Sequence, residues 1–288
     1  MGLHPDRPTL RRRRYRYLGV WQALTVTPAL VLYFILAYAL SWCAFVPLAL
    51  QAEGFMSGIP AWSHLLGAFG PALSALTVTA LTTRRAGIRE LLSRISRWRI
   101  GWGYLGAALL SPLAVYLVTA LALGVIAGDW AALGQYGSVA ELPGVSGLAG
   151  WLVWILTFGL GEETGWRGFA LPRLQKTYSA RTSALVVGAF WAAWHIPTFF
   201  YNYDPLLISI LSFTIGILSG SALLAWLYNS TGGSLLGCIL WHGSYNAAVA
   251  SSGGVIAVVE TAAVIFAVIF IANRYGPETL SRREKQVI

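Results

Sequence analysis

Three stretches of an otherwise apolar chain hold side chains that can move protons or bind a developing charge. They are Gly161-Glu162-Glu163-Thr164-Gly165-Trp166-Arg167, Trp191-Ala192-Ala193-Trp194-His195-Ile196-Pro197 and Trp241-His242-Gly243-Ser244-Tyr245-Asn246. On a helix, Glu163 and Arg167 stand four apart on one face, so an internal ion pair neutralises both, whereas Glu162 is turned about 100° away and lacks that partner. His242 and Asn246 are likewise four apart, which puts an imidazole beside an amide, both able to donate hydrogen bonds in one direction. His195 belongs to a third stretch and precedes the helix-perturbing Pro197. An unpaired carboxylate in a low-dielectric site is suited to act as a general base toward water, and an imidazole can hold the same water. A His and Asn pair can donate to the oxyanion of a carbonyl that is turning tetrahedral. The inventory points to hydrolysis of a peptide bond inside or at a membrane. Two other uses stay open on the same residues. In one, Glu163 and Arg167 are a satisfied ion pair and the His and Asn residues tie helices together. In the other, Glu162, His195 and His242 hold zinc with a fourth position open to water, although no HExxH helix strengthens that reading.

Separate helices must carry these groups, and the sequence supplies them as membrane spans. Crossing ~30 Å of hydrocarbon takes about 20 helical residues, and apolar stretches of that order occur near 24–50, 61–82, 103–127, 147–171, 183–202, 206–228, 232–250 and 254–273. The expected fold is all-α, a polytopic membrane helical bundle of about eight transmembrane helices. The interruption by Glu162, Glu163 and Arg167, with the short links near 203 and 252, leaves seven as the alternative count. Charge sorts with the spans. Of 20 Lys and Arg, six lie at the N-terminus (Arg7, Arg11, Arg12, Arg13, Arg14, Arg16) and six between Arg84 and Arg99. Arg167, Arg173, Lys176 and Arg181 lie at or near the same end of the fourth span, and Arg274, Arg282, Arg283 and Lys285 follow the last. The opposite loops carry Glu53, Asp129, Glu141 and Asp204, so the positive-inside rule puts both termini in the cytoplasm. The chain divides into a basic cytoplasmic segment (1–23), a single membrane-embedded domain (24–273) and a basic cytoplasmic tail (274–288). Its expected location is integral to a bacterial-type cytoplasmic membrane. The first apolar run is about twice a secretory core of 7 to 15 residues and reads as a retained helix. Ile88, Leu91, Leu92, Ile95 and Trp98 recur at helical spacing with Arg89, Arg94, Arg97 and Arg99 on the other side, which predicts an interfacial helix.

Composition agrees. Hydrophobic residues make up 57% and charged residues 11%, with a mean hydropathy of +0.64, whereas a soluble domain is roughly a quarter charged. A soluble globular protein is excluded. Thirteen Trp and thirteen Tyr suit the lipid boundary, and 31 Gly allow close helix approach. The net charge of +9 is a topology signal rather than a nucleic-acid footprint. Cys43 and Cys238 sit in apolar runs without metal spacing and read as small buried hydrophobes. His64 reads as an interfacial or packing residue, and Glu260 has no role assigned.

The three stretches resemble the CAAX-protease and bacteriocin-processing family of intramembrane proteases, whose motifs are EExxxR, FxxxH and HxxxN. Glu162 to Arg167 matches the first and His242 to Asn246 the third, while Trp191 to His195 meets the second with Trp in place of the usual Phe. His195-Ile196-Pro197, Arg167-Gly168-Phe169, the segment from Leu227-Tyr228 to Gly233-Ser234-Leu235, and Phe69-Gly70-Pro71 are also similar to the family. The resemblance runs from about 60 to 250. It implies that Glu162 activates water with His195, that His242 and Asn246 form the oxyanion site, and that Glu163 and Arg167 brace their helix, with Trp191 as an aromatic support. It also implies a peptide or protein substrate, membrane-associated or lipidated, met within membrane lipid. The family has been described both as zinc-dependent and as using a glutamate without metal. Only two imidazoles and one free carboxylate converge in sequence, and an Asn suits an oxyanion better than zinc, which favours no metal cofactor here.

Two functions from other classes use the same residues. A non-catalytic immunity or scaffold protein would bind a peptide between its helices. A secondary transporter would use intramembrane carboxylates for proton coupling, but it calls for paired broken helices and a repeat between halves, and the sequence has neither.

Overall fold

The structure is a computed structural model that describes residues 27–202, 207–250 and 254–288. The N-terminal Arg cluster, the first residues of the expected first span, and the links around 203 and 252 with Asp204 lie outside the described residues. Among the described residues the architecture is all-α, with eight helical segments. These are α1 (Pro28–Ala52); α2 (Ser63–Gly67) leading into α3 (Gly70–Ile95); α4 (Trp102–Ala127); a rod made of α5 (Gly147–Trp154), α6 (Leu160–Gly165) and α7 (Leu171–Leu174); α8 (Ala180–Trp194); α9 (Leu207–Ser230); α10 (Leu235–Val249); and α11 (Val255–Tyr275). Wide π turns at Ile155–Gly159 and Trp166–Ala170 join the three pieces of the rod.

Six of these segments, among the described residues, are long and apolar enough to cross a membrane: Pro28–Ala52, Ser63–Ile95, Trp102–Ala127, Ala180–Phe200, Leu207–Ser230 and Val255–Tyr275. The protein is an integral membrane protein. The other two, the rod and the 15-residue α10, carry the first and third polar stretches. Their environment explains the difference. Every residue from 161 to 172 is buried, so the rod is enclosed by other helices and need not present an apolar face to lipid. The outer helices do the reverse, turning Ile35, Val118, Val125, Ile126, Val258, Phe266 and Phe270 outward.

Missing side chains let the rod and its neighbours meet. A Cβ at Gly161 would collide with the Ala68 carbonyl and one at Gly165 with Pro71, so Phe69-Gly70-Pro71 packs directly on the turn that holds Glu162 and Glu163. A Cβ at Gly243 would strike Ile155 in the same way, which seats α10 on the first π turn. Small residues admit such backbone approach in membrane bundles.

The expected interfacial helix is the continuation of α3 beyond a kink at Arg84, where φ is 55° and ψ is −147°. One of its arginines departs from the expected polar side. Arg94 is buried, bonded through Nε to Glu90 at 3.1 Å and through a terminal nitrogen to the Tyr228 hydroxyl at 2.8 Å. Leu92, expected on the apolar side, is exposed. Cys43 also departs from expectation, being exposed on α1, while Cys238 is buried. The residues after α11 fold back on the bundle: Ala180 donates to the Glu278 carbonyl, Asn229 to Thr279, Gln175 to Gln286 and Lys285 to Tyr178.

At the opposite end, residues 128–146 form a cap. Gly137 donates its amide to the Ala247 carbonyl at 2.9 Å, and Val139 is buried against Leu65, Trp154 and Phe158. Glu141 in this cap bonds to His64 at 2.6 Å. Burial works to raise the Glu141 carboxyl, but the hydrogen bond and charge of His64 prevail and hold it below the usual carboxylate range. A carboxyl lowered in the folded state adds stability above its unfolded value, 4.5 here, and that stability is lost as pH falls through the folded value. Thermal unfolding in detergent should therefore show the midpoint dropping between about pH 6 and about pH 3, with a smaller drop in Glu141→Gln. Equal slopes in both proteins would contradict the pairing.

Candidate active site

Glu162 is 1% exposed, and its Oε2 accepts hydrogen bonds from two indoles, Trp166 Nε1 at 3.2 Å and Trp191 Nε1. Trp166 reaches it from one turn along the same helix, and Trp191 from α8. The carboxylate is therefore not bonded by Arg167, as its helical position predicts, but neither is it bare.

Glu163 points to the other side. Its Oε1 takes a hydrogen from Arg167 at 2.9 Å, the expected four-residue pair, and lies 2.8 Å from Nδ1 of His242 on α10. All three side chains are buried. Arg167 also lies over the Trp191 ring, 4.6 Å from its centroid. Three atoms of this knot, Glu163 Oε2 and the Arg167 Nε and Nη2, are buried with no hydrogen-bond partner among the described residues.

His195 caps the end of α8. Its backbone N–H turns to Ala192, releasing the Trp191 carbonyl, which takes the imidazole Nδ1–H at 2.8 Å instead. Helix ends leave such carbonyls unpaired, and here the side chain supplies the donor. That bond fixes the proton on Nδ1 and leaves the Nε2 lone pair available. The ring is wedged between Trp194 and Phe213 at centroid distances of 4.7 and 5.0 Å.

Trp191 is thus the hub. Its indole N–H holds Glu162, its carbonyl holds His195, its ring meets His242 at 5.2 Å, and its face carries Arg167. The sequence gives Trp191 only the place of a large aromatic, and it gives Trp166 no role. The second was legible as a donor four residues beyond Glu162, whereas the first depends on how two helices meet. Asn246 stands one turn beyond His242 on α10, partly buried, with its amide in no hydrogen bond among the described residues.

A zinc site does not fit this arrangement. No three His, Cys, Asp or Glu side chains among the described residues stand together as a ligand group, and Glu162 Oε2 is already taken by indole donors. Beside His195, a cleft of about 490 Å³ opens between α8 and α9, lined by Ala192, Ala193, Ile196, Phe199, Ile210 and Leu218 among others, an almost wholly apolar wall.

Residues 144–248 match the family model described as type II CAAX prenyl endopeptidase Rce1-like. All of the residues of the hub fall within that segment. CAAX prenyl protease 2 of Methanococcus maripaludis is similar, with 34% identity over 88 residues, which is 28% of this chain and 32% of that protein. The chain thus spans about a third of the length of that relative, and its likeness to the Rce1-like CAAX prenyl endopeptidases is confined to this segment.

Proposed function

We propose that this chain is an intramembrane endopeptidase that hydrolyses a peptide bond of a membrane-associated or lipidated substrate, with water activated by Glu162. The observation that carries this reading is the buried carboxylate clamped by Trp191, whose carbonyl simultaneously orients His195. Glu162 takes a proton from water while the His195 Nε2 lone pair accepts a hydrogen bond from the same molecule. The hydroxide adds to the carbonyl carbon. The oxyanion then receives hydrogen bonds from Asn246 and from Nε2–H of His242. With Nδ1 directed to Glu163, His242 offers Nε2–H only when the ring carries both protons, and the Glu163 carboxylate balances that charge. Collapse returns the Glu162 proton to the leaving amine. The apolar cleft suits a lipid chain or apolar side chain of the substrate.

The distribution of Lys and Arg along the sequence supports both termini on the cytoplasmic side, and the proposed location is a bacterial-type cytoplasmic membrane. All eight segments form the membrane domain, 24–273, flanked by the basic segments 1–23 and 274–288.

The full chain in liposomes should cleave a quenched peptide tethered to the bilayer, and should do so in excess chelator. His195→Ala should lower the rate more than about a hundredfold. No cleavage of any membrane peptide by the parent, or full activity in His195→Ala, removes the reading. Trp191→Phe keeps an aromatic ring at this position but removes the indole N–H together with part of the ring. A hydrogen bond to a charged group is worth about 1.5–3 kcal/mol, so kcat should fall about tenfold to a hundredfold in that variant, and an unchanged kcat would show that the clamp is idle.

A further inference from the structure

Outside the matched segment, a second buried acid and imidazole converge near the site. His64 on α2 and Glu141 in the cap are separated by 77 residues, yet His64 Nδ1 lies 2.6 Å from Glu141 Oε1, with side-chain exposures of 10% and 9%. The other Glu141 oxygen is buried with no hydrogen-bond partner among the described residues. Buried polar atoms are rarely left that way, since each costs desolvation. The Asn202 amide lies 3.1 Å from the same imidazole nitrogen, and because that N–H is directed to Glu141 the amide joins it as a second acceptor, through its oxygen.

Asn202 closes the turn that follows His195. Its backbone N–H donates to the Thr198 carbonyl at 2.8 Å, and Thr198 bonds back to the His195 carbonyl through its N–H at 2.9 Å and its hydroxyl at 2.7 Å. A second route runs through rings. His64 meets Phe45 at 5.3 Å, Phe45 meets Trp194 at 4.9 Å, and Trp194 stands edge-on to His195 at 4.7 Å. The first route ends on the His195 backbone carbonyl and the second on its imidazole, whose Nε2 is proposed to face the water. α8 holds the ring through the Trp191 carbonyl, but it ends at Trp194, so the chain on the far side of His195 is fixed by the 196–202 turn and not by the helix.

We propose that His64 and Glu141 are positioning residues for the hydrolytic site, a clasp that ties the cap and α2 to the 196–202 turn and thereby fixes the ring of His195. The inference rests on the endopeptidase reading for its kinetic consequence but not for its structural one, and the test separates the two.

The chain has four histidines, so ¹⁵N-histidine labelling of the full chain in nanodiscs can follow each imidazole. The parent should show His195 in a single Nδ1–H form. In Glu141→Gln that resonance should shift or split, and kcat on a bilayer-tethered peptide should fall about tenfold with KM within about twofold. Glu141→Asp, which retains the carboxylate, should restore most of both. Asn202 is exposed, so Asn202→Ala spares the core and should move the same readouts in the same direction if Glu141→Gln fails to fold. An unchanged His195 resonance overturns the clasp, whatever the rate does, and so does a shifted resonance with unchanged kcat in an active protein. If the parent cleaves nothing but the resonance still responds, the clasp stands and the endopeptidase reading falls.

Discussion

Glu162→Gln should lower kcat about a thousandfold, within the 10²–10⁴-fold range that a positioned general base contributes, and should leave folding and extraction in detergent unchanged. The variant is informative because Gln keeps the shape of the side chain and one acceptor oxygen. That oxygen can still take the Trp166 and Trp191 N–H groups. What is lost is the ability to receive a proton, and the remaining amide NH₂ turns a donor toward water where an acceptor is needed. With the substrate seated in the apolar cleft as proposed, KM should stay within a few-fold. Single-turnover cleavage of a lipid-tethered quenched peptide is the measurement. A rate within tenfold of the parent would mean that another group takes the proton.

The second large effect is on stability. Arg167→Met should cost about 3–5 kcal/mol, because it leaves Glu163 as a buried charge with one of its two partners removed. Arg167 and Glu163 are both 0% exposed, so water cannot replace the lost guanidinium. The double variant Glu163→Gln with Arg167→Met should recover most of that loss, since replacing both members of a buried pair with neutral groups is often close to neutral. Unfolding in graded denaturing detergent at fixed pH would compare the three proteins with the parent. A single variant as stable as the parent would mean that the pair is not load-sharing. Equal losses in the single and double variants would trace the cost to packing over the Trp191 ring rather than to charge.

What could be read in the sequence was what helical spacing controls. Glu163 and Arg167 meet because they are four apart, and the six spans among the described residues follow from length and apolar composition, whereas the rod and α10 were expected as spans and are not long and apolar enough. Contacts between helices were out of reach. His242 beside Glu163 and the Trp191 indole on Glu162 depend on the crossing of α8 and α10 over the rod, which no single-helix period encodes. Arg94 shows the same limit. Its place in the repeat put it with the exposed arginines, but Tyr228, 134 residues later, offers its hydroxyl from α9 and draws it inside. Cys43 erred in the other direction, because in a membrane an apolar run does not say which residues face lipid. His64 looked like a solitary ring until the cap brought Glu141 to it.

The enclosure of the rod also has a consequence for biogenesis. Each ionised residue at the centre of a lone helix opposes insertion by about 2.5–3.5 kcal/mol, and Glu162, Glu163 and Arg167 lie within one turn and a half of each other. A nascent chain that stops after the rod would leave those groups without the walls that α8 and α10 later provide. The translocon must therefore either hold this segment until synthesis has passed residue 249 or deliver it together with its neighbours. Truncation before α10 should yield a product prone to quality-control degradation rather than a smaller stable protein.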